Sequence, residues 1–274
     1  MLSRRHTVGA GSARSLLLTV LGELVLPASR PAWTSALLHV LGGLGAEEKS
    51  ARQAIARTAK DGWTTSERDG RRVRWALTPV GRRLLTEGTE RIYSHGAVPQ
   101  AWDGRWLIMM ASVPESQRTL RHKLHTQLAW AGFGNPSPGM WVSPHPEREA
   151  EVKHIIQNLG LDSTAFSFTG PFAGVGSERS LVERAWNLAE VGARYEAFLD
   201  QFTGIRPAPG DPTLFAQVRL VHEWRRFPFL DPLLPEELLP PRWTGQRARM
   251  LFDRQHAAWQ GGARERWAQL SAAG

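Results

Sequence analysis

Between residues 49 and 74 lie ten side chains able to hold a polyanion or read the edge of a base. Lys49, Ser50, Arg52, Gln53, Arg57 and Lys60 come first, and Arg68, Arg71, Arg72 and Arg74 follow. Guanidinium groups form charge-assisted hydrogen bonds to phosphate oxygens, often two at a time, and fit guanine in the same bidentate way. A glutamine carboxamide matches adenine, and each such pair contributes roughly 1–3 kcal/mol of discrimination. Lys49, Arg52, Gln53, Ala56, Arg57 and Lys60 fall at offsets 0, 3, 4, 7, 8 and 11, the spacing of one helical face. The other face, with Ala51, Ala54, Ile55, Thr58 and Ala59, is small enough to sit close on a neighbouring helix. A helix divided in this way suits a DNA major groove, although a merely solvated face would carry the same pattern.

The arginines that follow separate the two readings. Asp69-Gly70 is a preferred pair for a type I′ turn, which would place Arg68 opposite Arg71. On that register Val73, Trp75 and Leu77 share the core side, and Arg72 and Arg74 point away beside Glu67 and Thr65. Four arginines at a hairpin tip repel one another, and a phosphate backbone would relieve that repulsion. The elements needed to position these groups are also legible. Ser12 can cap a helix reaching about Leu26 and ended by Pro27, and a second helix fits Thr34 to Leu44. The third runs from about Glu47 to Gly62, and Thr78-Pro79 opens another after the hairpin. Helix, helix, helix, hairpin, helix is the order of a winged helix-turn-helix, expected over residues 1–97.

Charge is distributed to match. Residues 1–97 hold 15 Lys and Arg against 8 Asp and Glu, whereas residues 98–274 hold 19 against 18. The net charge of +8 is thus concentrated where a polyanion would bind, as expected for a double-stranded DNA contact and not for a general solubility device. The absence of cysteine excludes disulfides, thiol catalysis and zinc fingers, and it fits a cytoplasmic protein. Ser3-Arg4-Arg5 ahead of Leu16-Leu17-Leu18 faintly resembles a twin-arginine export signal. Glu23 interrupts that run, and Leu17, Val20, Leu21, Leu24 and Val25 repeat as in an amphipathic core helix, so a core helix is the expectation. No other stretch is apolar for long enough to span a membrane.

Residues 98–175 alternate strand and helix signals. Trp106 to Val113 reads as a strand, Glu115 to Trp130 as a helix, and Met140 to Ser143 as a second strand. A helix from Glu147 to Leu159 and a strand from Ala165 to Phe172 follow, with room for one more strand near Gly132. A ferredoxin-like βαββαβ domain accounts for that order. A metal nuclease of this shape would need an acid at the end of the first strand, where Ala111-Ser112-Val113-Pro114 stands. His122 and His125 could share a helical face but lack a third ligand, so no metal, cofactor or enzymatic activity is expected. A spacer or dimerisation role is the reading for this segment.

Residues 176–274 read as an α-helical effector and dimerisation domain, with helices from Ser177 to Phe202, Pro212 to Phe227 and Gln246 to Leu270. The whole chain is therefore expected to be α+β. His222, Trp224, Arg225 and Arg226, with Arg247 and Arg249 downstream, could hold an aromatic, phosphate-bearing effector. The alternative is that Arg225 or Arg226 pairs with Asp231 to pin the proline-rich loop.

Four stretches carry a family resemblance. Ala13 to Leu18, Arg71 to Gly81, Trp102-Asp103-Gly104-Arg105-Trp106 and Arg226-Phe227-Pro228-Phe229-Leu230-Asp231-Pro232 together resemble the PaaX family of bacterial phenylacetic acid catabolism repressors. The resemblance implies a homodimeric repressor with a small-molecule effector such as phenylacetyl-coenzyme A, and two symmetry-related heads would meet a pseudopalindromic operator. The central domain of that family is similar to the small CRISPR adaptation nucleases, and Ser112 stands where those carry an aspartate. That departure favours a scaffold.

Overall fold

The computed structural model describes residues 12–97 and 101–273, so Ser3-Arg4-Arg5 and residues 98–100 lie outside the described residues. The chain divides into two compact units. One comprises Met1–His95, Phe198–Arg225 and Arg249–Gly274, the other Gly96–Ala197 and Arg226–Ala248.

In the first unit the Ser12 hydroxyl accepts from the Ser15 amide at 3.2 Å and starts α1 (Ala13–Val20). The helix does not stop at Pro27, contrary to the sequence expectation. It widens into a π-helical turn, Leu21–Val25, continues as α2 (Leu26–Ala28) and ends at Ser29 with a left-handed φ of 52°. A proline ring collides with the preceding turn of a regular helix, and the wider turn ahead of Pro27 gives it room. A short strand β1 (Ala32–Trp33), α3 (Thr34–Gly43), α4 (Glu48–Lys60), β2 (Thr64–Asp69), β3 (Arg72–Leu77) and α5 (Pro79–Ser94) follow. The three strands form an antiparallel sheet in the order β1-β3-β2. Thr78 caps α5 by accepting from the Gly81 amide at 3.0 Å. Only glycine fits at position 81, because a Cβ there would stand 2.0 Å from the Trp63 carbonyl oxygen.

The hairpin turn lies one residue later than the sequence expectation, which moves the strand pairing by two residues. Asp69 pairs with Arg72, Arg68 with Val73 and Glu67 with Arg74, leaving Gly70-Arg71 as the two-residue loop. Gly70 has φ +60°, and Arg71 is not among the residues with positive φ, so glycine takes the first central position as in a type II′ turn. Electrostatics favours this outcome. Both acids of β2 now lie directly across from arginines, whereas the expected register would have set Arg68 against Arg71. The facing of the β3 side chains is unchanged by the shift.

The second unit opens with β4 (Arg105–Ala111), α6 (Arg118–Trp130), β5 (Gly134–Ser137), β6 (Met140–Ser143), α7 (Glu149–Leu159) and β7 (Ala165–Pro171). The sheet is antiparallel in the order β5-β6-β4-β7. Leu107 and Met109 on one face pack with Leu124, Leu128, Val152 and Ile156 of α6 and α7. Trp106 and Val142 on the other pack with Val182, Leu188 and Leu234. The single helix expected from Ser177 to Phe202 is two, α8 (Glu178–Ala185) and α9 (Leu188–Phe202). Trp186 is extended (φ −136°, ψ 147°) and lies against Gly134, where a Cβ would meet the indole at 2.6 Å. The Asn187 side chain then accepts from the Glu190 amide at 3.2 Å and restarts the helix.

Two further helices, α10 (Asp211–Trp224) and α11 (Gly245–Ala273), complete the chain, and the division between units falls inside α9 and α11. Leu214 and Val218 of α10, with Ala263 and Trp267 of α11, join the core built by α1, α3 and α4. Leu17, Val20, Leu21, Leu24 and Val25 are all buried in that core. Among the described residues no helix is long and apolar enough to cross a membrane.

Candidate nucleic-acid interface

α4 is amphipathic in an uneven way: its buried side is small and its open side is long and basic. Ala51, Ala54, Ile55 and Thr58 are buried. The Thr58 hydroxyl donates to the Ile55 carbonyl at 2.7 Å and lies 3.1 Å from the Thr64 hydroxyl, which ties the helix to β2. Arg14 of α1 donates to Asp61 at 2.6 Å and lies 5.0 Å over the Trp63 ring, which holds the end of α4. Anchored on that side, α4 exposes Lys49, Ser50, Arg52, Gln53, Arg57 and Lys60 to solvent. Arg52 pairs with Glu48 at 2.8 Å, and Ser50 donates to Glu47 at 3.4 Å. An exposed pair of this kind contributes about 1 kcal/mol or less, so a phosphate can displace Glu48 readily.

The hairpin adds a second basic edge. Arg68, Arg71 and Arg72 are exposed and Arg74 is half-buried. Arg74 pairs across the strands with Glu67 at 2.9 Å. The guanidinium groups of Arg72 and Arg74 lie 5.0 and 5.8 Å from the centre of the Trp33 ring. Trp33 is itself held, its indole N–H donating to the Ser271 carbonyl at 3.0 Å. Trp75 donates to the Thr34 hydroxyl, which donates to the Val73 carbonyl, both at 2.9 Å, so the hairpin is fastened to the start of α3. The sequence reading missed Trp33, because a two-residue strand is too short to show alternation.

The residues expected at an effector site lie elsewhere. His222 is buried, its Nδ1 2.9 Å from the Thr19 hydroxyl. Arg225 donates to the Ser15 carbonyl at 2.9 Å and to the Thr19 hydroxyl at 2.8 Å. Burial draws the Arg225 guanidinium down to about 10, still charged at neutral pH. Trp224 is fully buried, stacked on Phe252 at 4.6 Å, and donates to the Ile92 carbonyl. His222, Trp224 and Arg225 therefore bind α10 to α1, α5 and α11 within the first unit. Arg226 is half-buried in the second unit. Arg249 donates to the Tyr93 carbonyl at 2.8 Å and pairs with Asp253, while Arg247 is exposed.

Beside this packing lies a buried polar cluster that sequence spacing did not show. Glu23, inside the π turn, accepts from the Tyr93 hydroxyl and, at 2.8 Å, from the Gln217 side chain, with His256 Nε2 at 3.3 Å. Burial pushes the Glu23 carboxyl up, but the hydrogen bonds from His256, Tyr93 and Gln217 outweigh it and hold the group below its usual range. Burial, reinforced by Arg249 and Arg91, pulls His95 down to about 3, so it is neutral at physiological pH. In the second unit His122 is exposed, and His125 packs edge-on to Trp141 at 5.1 Å. Ser112 is exposed just after β4.

Three family models cover the chain in succession. Residues 12–81 match the PaaX-like protein model, 99–182 the PaaX protein central Cas2-like domain, and 186–269 the PaaX-like protein C-terminal domain. Over 260 residues the chain is 33% identical to the transcriptional repressor PaaX of Escherichia coli (strain K12), covering 90% of this chain and 81% of that protein. The chain belongs to the PaaX family. Its fold is similar to that of the uncharacterized protein Rv0674 from Mycobacterium tuberculosis, with TM-score 0.63 and 20% identity over 94% of this chain and 99% of the other.

The stretch from Arg226 to Pro232 has a local structural purpose. Phe227 stacks on Tyr195 at 4.0 Å and 8°, and the Tyr195 hydroxyl donates to Asp231 at 2.6 Å. Asp231 also accepts from the Leu233 amide at 2.8 Å, where the chain takes a positive φ of 56°. The motif thus clamps one tyrosine of α9 between a ring and a carboxylate.

Proposed function

We propose that this chain is a DNA-binding transcriptional repressor whose first 97 residues act as a winged helix-turn-helix. The observation that carries the reading is the two-edged basic surface: six exposed side chains on α4 and four hairpin arginines, all positioned by packing on the opposite side. α4 serves as the recognition helix, with Arg52 and Gln53 on base edges and Arg68, Arg71, Arg72 and Arg74 on flanking phosphates. β4 to β7 with α6 and α7 form a ferredoxin-like domain that acts as scaffold and not as nuclease. The protein works as a cytoplasmic homodimer on a pseudopalindromic operator, without a cofactor.

Release follows from binding an aryl-acyl-coenzyme A such as phenylacetyl-coenzyme A, the effector implied by the family resemblance. A ligand reaching His222, Trp224 and Arg225 has to part α10 from α1, because those side chains are committed to that packing. Its differential affinity for the parted state sets the switch, typically about 1–3 kcal/mol.

A gel-shift titration on DNA from upstream of the coding region, with and without aryl-acyl thioesters, tests both halves. Specific binding weakened by the thioester is the expected result. Selection on randomised DNA with Arg52→Ala and Gln53→Ala tests the reading helix. A motif unchanged in both variants would remove α4 from that role.

A further inference from the structure

We propose that Phe215 and Asp211 of α10 are positioning residues for DNA reading, because they brace the turn that carries α3 into the recognition helix. The inference rests on the repressor reading above and adds to it two residues far from α4 in the sequence. Gly43 is the last residue of α3, and only Leu44 to Glu47 separate it from α4. A Cβ at position 43 would stand 2.0 Å from Cζ of Phe215, so the ring fills the notch that the glycine leaves. Gly43 is not among the glycines with positive φ, so space and not backbone conformation requires it. One turn earlier on each helix, His39 Nε2 lies 2.9 Å from Asp211 Oδ2, and the centres of the His39 and Phe215 rings are 5.9 Å apart. Two residues four apart on α3 thus meet two residues four apart on α10. One contact would let the helices pivot, and two fix their register. Asp211 is also held from the other side, its Oδ1 accepting from Arg266 of α11 at 2.7 Å. Gly262 lets α11 approach closely there, since a Cβ at that position would meet the Thr213 side chain at 3.3 Å. α10 is therefore backed by α11 where it presses on α3.

Reading depends on this brace more than grip does. The far end of α4 is tied down by Arg14 on Asp61. Arg52 and Gln53 lie about 12–14 Å from that end, at roughly 1.5 Å per residue. A swing of about 5° around it moves them by roughly 1 Å, about twice the spread in hydrogen-bond length. Paired hydrogen bonds to a base are lost over such a shift, whereas a flexible arginine follows a phosphate. A ligand that parts α10 from α1 also draws Phe215 from its notch. The brace thereby gives release a route to the recognition helix.

The test compares the DNA sequence selected by the wild-type chain with scrambled DNA of the same length, using the full chain. Phe215→Ala should keep a cooperative melt and an unchanged affinity and salt slope on scrambled DNA. Its preference for the selected sequence should fall by about tenfold, the worth of one mis-set base contact. A merely structural loss would lower the melting temperature and leave that ratio intact, since unfolded chains subtract equally from both measurements. Asp211→Asn, on a half-buried group, should act in the same direction more weakly and keeps the test open if the first variant melts early. Gly43→Ala expels the ring and should reproduce the loss. Combined with Phe215→Ala the added methyl has room, and preference should fall no further. Without DNA, hydrogen exchange at Leu44, Gly45 and Ala46, whose amides close the turn onto Val40, Gly42 and Leu41, should quicken about tenfold in Phe215→Ala and stay unchanged in α5. An unchanged preference in Phe215→Ala, unchanged exchange at the turn, or a Gly43→Ala penalty that persists without the ring overturns the proposal. A wild-type chain that prefers no sequence sinks the repressor reading instead, and the exchange result then decides the brace by itself.

Discussion

Two of the strand edges among the described residues, that of the β2–β3 hairpin and that of β7, are opposites. The β2–β3 hairpin is dense with charge, its arginines opposed by Asp69 and Glu67 and backed by Trp33. β7 carries no charge and presents two aromatic rings. A strand edge dressed in like charges repels another copy of itself and attracts a polyanion, whereas a bare apolar edge does the reverse. Two surfaces of similar backbone geometry can therefore take different classes of partner through side-chain choice alone.

That contrast can be broken from the hairpin side. Arg71→Ala with Arg72→Ala should cost about 3 kcal/mol of binding to every DNA sequence, at roughly 1.5 kcal/mol for each charge-assisted contact. The log–log salt slope should fall by about 0.9 per lost phosphate contact. A slope unchanged in fluorescence anisotropy would free the hairpin from the DNA and leave both edges without an assigned polyanion.

The two units also differ in acid. In the first, Glu23 and His95 both sit below their ordinary values. For each, stability is complete above the unfolded value and is lost as pH falls. His95 acts from about 6.5 down to about 3, and Glu23 acts below about 4.5. In the second unit, burial lowers His145 but raises Asp231, and a raised carboxyl is most stabilising in acid and loses that contribution as pH rises. Acid should therefore loosen the first unit before the second, by up to about 1.4 kcal/mol per pH unit from His95 alone. Hydrogen exchange between pH 7 and pH 5 (about one and a half units of that slope, since His95 acts only below about 6.5) reads this out, and His95→Leu should flatten the dependence.

The smallest effect isolates Trp33. An exposed cation–π contact contributes about 0.5–1 kcal/mol, so Trp33→Leu should weaken DNA binding only several-fold while leaving the salt slope intact. A change in slope would mean that the tryptophan sets how many phosphates are met, not merely how the arginines are aimed.

What could be read from the sequence depended on periodicity. The open face of α4 was legible because a helix displays its period over several turns. The facing of Arg72 and Arg74 was legible because alternation survives a slip in the turn. The slip itself was not, since Asp69-Gly70 and Gly70-Arg71 both make acceptable two-residue loops and cross-strand charge decides between them. The break at Trp186 was hidden for a related reason: its cause is the flat surface of Gly134, more than fifty residues away. Glu23 read as an interruption of an apolar run, and only the fold brings Tyr93, Gln217 and His256 to it.

The core of the first unit has a consequence for biosynthesis. It is opened by α1 and closed by Leu214, Val218, Ala263 and Trp267. A chain emerging from the ribosome thus makes its basic helix early and the residues that complete that helix's support last, a wiring of high contact order that slows folding. Truncated products keep an unfilled apolar face and become substrates for chaperones and proteases. The N-terminal basic surface gains its full footing only in a molecule whose chain has been made as far as Trp267.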